Sequence, residues 1–143
     1  MKRLLVAFTV AGALIVLRDP PWAGVISSGF RSWEHDLSAT QFRWTAGRAS
    51  FFVPSNATSL TVPLRTLFAG PAGSPTEVQI SSDDRWLATV QLRELGVWVK
   101  TTLPMGGRTT RRFRRIDLRV NRVVPPFMLG VMVGEIETST AHP

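Results

Sequence analysis

Four consecutive side chains near residue 35 combine groups that often carry chemistry. Trp33, Glu34, His35 and Asp36 place an indole and two carboxylates beside an imidazole. Such a set could bind a cation or act as a general acid and base. Adjacent residues of an extended chain point to opposite faces, so they seldom converge on one substrate atom. We therefore interpret this segment as a solvated loop before the first strand, and a hydrolase built on it is the least favoured function.

The sequence also lacks the residues and motifs of other enzyme classes. It has no cysteine and no tyrosine, and its second histidine, His142, is the penultimate residue. It contains no HExxH, GxSxG, P-loop or GxGxxG motif. Glu135 and Glu137 are predicted to share the solvent face of a strand, which does not place them on either side of a substrate bond. We expect neither an enzyme nor a bound metal or cofactor.

A run of arginines holds most of the positive charge. The net charge of the chain is +7, and residues 108–122 contain seven arginines against the single acid Asp117. Exposed guanidinium groups bind phosphate and carboxylate, so this segment could dock on an anionic membrane surface or on an acidic protein. The residues expected to make such contacts are Arg111, Arg112, Arg114 and Arg115. A solvated loop and strand face is the alternative interpretation. Nucleic acid is not an expected partner, because no helix-turn-helix, finger or RNP-like motif accompanies the charge.

Exposed aromatic rings suggest a different kind of ligand. Sugar rings can stack on aromatic side chains, while carboxylate and guanidinium groups fix their hydroxyls. Trp33 is the best exposed candidate because it lies in a polar segment. The tryptophans that lie in predicted strands are instead expected in the core; they are Trp44, Trp86 and Trp98.

The N-terminal segment is typical of export. Lys2 and Arg3 precede an uncharged apolar run, residues 4–17, which ends at Arg18. A helix of this length rises about 21 Å, less than the ~30 Å hydrocarbon core of a bilayer. The run fits a signal peptide, an uncleaved anchor is the alternative, and a buried helix would need a polar face that it lacks. We expect residues 1–23 to be the signal or anchor and residues 24–143 to be an extracytoplasmic domain, periplasmic, secreted or held at the inner membrane.

Alternating apolar and polar residues predict that strands position all of these side chains. The alternation is clearest at residues 60–65, 78–81, 86–93 and 115–121. Further strands are predicted at residues 41–45, 49–53, 97–103 and 129–138, the last covered on both faces. Ser82, Asp83 and Asp84 are predicted to form a hairpin turn. These elements indicate an all-β domain, an antiparallel β-sandwich or barrel.

Several short motifs resemble those of galactose-binding-like, jelly-roll β-sandwich modules of bacterial envelope proteins. They are Gly29-Phe30, Glu34, Phe42-Arg43-Trp44-Thr45, Pro54 and the closing Leu129-Gly130-Val131-Met132-Val133. The resemblance implies a jelly-roll-like sandwich and a non-catalytic module that binds a carbohydrate or glycoconjugate. The side chains expected to contact that ligand are Trp33, Glu34, Asp36 and Arg43. The alternative is a structural envelope protein that docks through residues 108–122.

Overall fold

The computed structural model describes residues 2–107 and 109–140, and in them it has one α-helix, two short 3-10 helices (Ala23–Val25 and Pro71–Gly73) and ten strands. The helix α1 spans Lys2–Arg18, and described apolar side chains such as Phe8 and Leu14 are exposed on it. Within the described residues, no helix is both long enough and apolar enough to cross a membrane. The predictions for Arg108 and His142 concern positions outside the described residues.

The strands form two antiparallel sheets. In chain order they are β1 (Ser27–Phe30), β2 (Glu34–His35), β3 (Gln41–Pro54), β4 (Ala57–Arg65), β5 (Thr76–Ser82), β6 (Arg85–Leu92), β7 (Val99–Pro104), β8 (Phe113–Val120), β9 (Met132–Gly134) and β10 (Glu137–Thr140). Sheet A has the order β1-β3-β8-β5-β6. In sheet B, β4 pairs with β7 on one side and with β9 and β10 on the other. Strand β9 also pairs with the first part of β3, which in turn pairs with β2.

Strand β3 belongs to both sheets. Its first residues pair with β9 and β2, and its last seven pair with β8. Side chains alternate along this strand, so the inward set includes Thr45 and Phe51 while the outward set includes Trp44 and Ser50. The same alternation along β3 therefore decides which of its residues face the core in both sheets.

The core lies between the two inner faces. Fully buried side chains there include Leu60, Leu64, Ile80, Ile116 and Val133. Strands such as β5 and β8 bury alternate residues, which is how a sequence with a period of two forms a sandwich.

The outer face of sheet B has a second apolar layer. Phe42, Trp44 and Met132 are buried there beneath loop residues, and together they form what we call the sheet B cluster. The loop and strand-end side chains that cover it are Phe68, Trp98 and Leu129. The rings of Trp44 and Phe68 lie 5.6 Å apart, centroid to centroid.

The predicted all-β antiparallel sandwich, preceded by an N-terminal helix, is confirmed. The two strands predicted at residues 41–45 and 49–53 are a single strand, and the one predicted at residues 129–138 is divided into β9 and β10. Burial on both faces is confirmed for β9, since Met132 joins the sheet B cluster and Val133 lies in the core.

Candidate functional site

The outer face of sheet A carries rows of polar side chains that run across the strands. Strand register places one residue from each of the five strands in the first row; these residues are Ser28, Ser50, Asp117, Ser81 and Trp86. The next row consists of Arg48, Arg119, Gln79 and Thr89. An open groove of about 420 Å³ follows these rows, and its lining includes Asp84 and Arg115.

Trp86 stands at one end of the first row with 68% of its surface exposed. The prediction that it is a core residue is wrong, and a β-bulge is the reason. Ser81 pairs with Trp86 and Ile80 with Ala88, so Leu87 is an extra residue in β6. An inserted residue breaks the alternation of faces. Ala88 therefore points inward while Trp86 lies opposite the outward Ser81.

The hairpin turn between β5 and β6 contained the signal that would have placed Trp86 correctly. Asp83 and Asp84 both have positive φ, 47° and 66°, as a two-residue type I′ turn requires. Such a turn pairs Ser82 with Arg85, and therefore Ser81 with Trp86. Counted from the turn, Trp86 faces outward, whereas alternation counted back from the buried Val90 and Leu92 places it inward. Both can hold only if β6 contains one extra residue, which is the bulge.

Arg115 connects the turn to the first row. Its Nε donates to Asp117 at 2.8 Å, and its Nη2 donates to Asp84 at 2.9 Å. The hydrogen bond and charge of Asp117 raise the pKa of Arg115 above its ordinary value. The Arg115 amide also donates to the side chain of Asp83. This network fixes the acidic side of the groove.

Gly29 allows β1 to complete the row. Its φ is +72°, and a Cβ at this position would lie 2.0 Å from the Arg48 carbonyl oxygen. Only glycine fits this approach of backbone to backbone. It brings the Ser28 and Ser50 hydroxyls to 2.8 Å from each other.

The structure brings two of the predicted ligand contacts together at a different place. The Arg43 guanidinium lies between two rings, with its Cζ 4.7 Å from the Trp33 centroid and 3.9 Å from that of Phe30. Its Nη1 donates to Ser27, and burial lowers the pKa of Arg43. Trp33 is 47% exposed, as predicted, but Arg43 covers one face of its ring.

Glu34 and Asp36 do not join that pair in one pocket. Glu34 pairs with Phe42 and so belongs to the opposite face of the sheet from Arg43. The Asp36 carboxylate accepts the amides of Ser38 and Thr40 and forms an ion pair with Arg65 at 3.2 Å. Asp36 therefore closes its own loop.

His35 is engaged as well. Its Nε2 lies 3.1 Å from the Gln41 side-chain amide. The predicted solvated loop at residues 33–36 contains the short strand β2, and no trio of histidine, aspartate or glutamate within the described residues is arranged to hold a metal.

The four arginines predicted to form one docking surface have separate roles. Arg112 pairs with Asp19 at 3.7 Å, and Arg115 is held by its two aspartates. Arg114 is only 8% exposed, and its guanidinium donates to the carbonyls of Gly106 and Gly107. Arg114 is therefore buried and holds the loop at Gly106 and Gly107, and the prediction that it is an exposed anion contact is wrong. Arg111 alone of the four remains exposed without a side-chain partner in the described part of the chain.

No protein-family model matches the chain. A search of curated proteins likewise finds no match.

Solved structures with a similar fold include carbohydrate-binding modules. The module CsCBM6-3 of Clostridium stercorarium, in complex with cellobiose, is 14% identical, with 81% of this chain and 87% of that one covered and a TM-score of 0.47. A family 6 module of Clostridium cellulolyticum, in complex with xylose, is 10% identical over 79% and 88%, with a TM-score of 0.47. A module of Cellvibrio mixtus lichenase 5A, in complex with cellotriose, is 10% identical over 84% and 93%, with a TM-score of 0.45.

Proposed function

We propose that this protein is a non-catalytic carbohydrate-binding module and that its binding surface is the outer face of sheet A. The observation that carries the proposal is the exposed Trp86 ring in line with four polar residues across the sheet. An indole that is 68% exposed beside a polar groove gives up little of its area to the protein's own core. It is available to stack against the apolar face of a sugar ring.

The rest of the groove supplies the hydrogen-bonding groups that sugar hydroxyls require. Serine and threonine hydroxyls donate and accept, Gln79 does both through its amide, and Asp117 accepts. Each hydroxyl of a sugar is likewise a donor and an acceptor. The Arg115 network holds Asp117 in place before a ligand arrives, which reduces the ordering cost of binding.

The shape of the groove favours an oligosaccharide. Five strands about 4.8 Å apart give a row of roughly 19 Å from β1 to β6. The groove is open along this row, with side chains on its floor and Trp86 at one end. A chain of sugars can lie across the strands while one ring stacks on the indole.

The test is binding to an array of soluble oligosaccharides and polysaccharides, followed by affinity measurements on the full chain. We expect W86A to weaken binding about tenfold, since losing a stacked ring costs on the order of 1.4 kcal/mol. W33A is the matched control, because Trp33 is also exposed but lies outside the groove. Wild-type affinity in W86A would overturn the proposed surface, and loss of affinity in W33A alone would place the site beside Arg43.

We also propose that the module acts outside the cytoplasm, in the cell envelope. The charged ends and uncharged middle of α1 support this location, and its described apolar side chains are exposed instead of packed in the core. Fusing residues 1–23 to a reporter that is active only after export tests the proposal. An inactive fusion would contradict it, provided that a known signal sequence activates the same reporter.

A further inference from the structure

The second row of the groove begins with two arginines that face each other across paired strands. Arg48 of β3 and Arg119 of β8 are direct register partners, and both are exposed. Like charges directly opposite on neighbouring strands repel each other and destabilise the pair. Within residues 2–107 and 109–140, neither guanidinium has a hydrogen-bond or ion-pair partner.

The acidic groups of the groove are committed elsewhere. Three arginines and two aspartates line it, and Arg115 binds both Asp84 and Asp117. Arg48 and Arg119 are therefore left as an unneutralised pair of positive charges. An anionic group placed between them would relieve the repulsion and could accept hydrogen bonds from both guanidinium groups.

We propose that the saccharide bound on this surface is acidic, with a carboxylate or sulfate held between Arg48 and Arg119. This inference rests on the proposed carbohydrate-binding function and adds the class of ligand. Strand spacing places the Cα atoms of Arg119 and Trp86 roughly 12 Å apart, two strands across and one row along. The acidic sugar is thus a neighbour of the sugar that stacks on Trp86, so the ligand has at least two units.

The experiment compares ligands that share a sugar backbone and differ in whether it carries an anionic group. Oligogalacturonate and its methyl ester share the same backbone, as do dextran sulfate and dextran. Calorimetry at 0.15 M salt should show at least tenfold tighter binding of the charged member in one of the two pairs. A preference for oligogalacturonate identifies the anion as a carboxylate, and a preference for dextran sulfate identifies it as a sulfate. The double variant R48Q/R119Q should remove this preference.

A control separates the site from general attraction to a chain of net charge +7. The variant K100Q/R111Q loses the same two charges at exposed positions of the domain outside the groove and should keep the preference. Equal loss in both double variants would overturn the inference. The inference would also be overturned if charged and neutral saccharides bound equally well and W86A abolished the binding of both. That result would leave the proposed carbohydrate-binding function intact. Absence of binding to every saccharide would overturn both.

Discussion

The outer faces of the two sheets have opposite characters although they are built alike. On sheet B, Phe42, Trp44 and Met132 are buried beneath loop side chains. On sheet A, serines, charged residues and Trp86 remain in contact with solvent. Both faces include outward residues of the same strand, β3, so the difference lies in what the loops cover. An aromatic residue on a strand can thus be structural or available for binding, depending on the loops around it.

The first prediction tests this difference by truncating one tryptophan on each face. W44A should lower the free energy of unfolding by about 3–5 kcal/mol, because it opens a cavity in the sheet B cluster. W86A should change it by less than about 0.5 kcal/mol, since its ring is exposed. Urea unfolding followed by circular dichroism measures both. Similar losses in the two variants would show that Trp86 also packs in the native state.

The second prediction concerns the bulge that follows Trp86 in β6. Deleting Leu87 makes the pairing of β5 and β6 regular and leaves Trp86 opposite Ser81, so saccharide affinity should stay within about twofold. Stability should fall by about 1–2 kcal/mol, because Leu87 packs partly against the core. L87A is the matched control, with the same side-chain loss and the bulge retained. Lost affinity in the deletion but not in L87A would show that the bulge geometry itself shapes the groove.

The third and smallest predicted effect concerns the cover of sheet B. Arg65 lies over Trp98, with its Cζ 5.6 Å from the ring centroid, and is held there by Asp36. The hydrogen bond from the Thr40 amide is the largest of the causes that place the pKa of Asp36 below its ordinary value of 3.8. The folded pKa is therefore lower than the unfolded one. The ionised carboxylate stabilises the fold above the unfolded pKa, and this contribution disappears as the pH falls through the folded pKa.

D36N keeps an oxygen acceptor but removes the charge. It should give a small drop in Tm at pH 7 that vanishes in acid below the folded pKa of Asp36. Thermal scans of wild type and D36N from pH 7 to pH 2 measure the difference. A gap in Tm that stays constant over this range would contradict a role for the charge.

Alternation along the sequence was enough to predict the sandwich but not the site. An alternating pattern shows which residues share a face, and the inward residues that it predicted for β4, β5 and β8 are buried. It fails at Trp86, where one inserted residue reverses the faces. It also could not predict the pairing of Arg48 with Arg119, because they lie far apart in sequence and meet only through strand register.

The predicted contacts near residue 35 show a different limit. Trp33 and Arg43 do meet, but the guanidinium covers one face of the ring that a sugar was expected to use. Asp36 is bound by amides two and four residues further along the chain. Aspartate often bonds locally in this way, and residue type alone does not separate a loop-forming carboxylate from a ligand-binding one.

The bulge at Leu87 also has a consequence for how copies of this protein meet. In the part of the chain that the structure describes, β6 hydrogen-bonds to β5 only and is therefore an edge strand. A flat, regular edge is a template on which a second chain can add a strand and begin to aggregate. The extra residue interrupts the regular edge beside Trp86, where the exposed aromatic ring would most favour association with a second chain. The extra residue beside the indole thus disfavours the addition of a second chain at this edge.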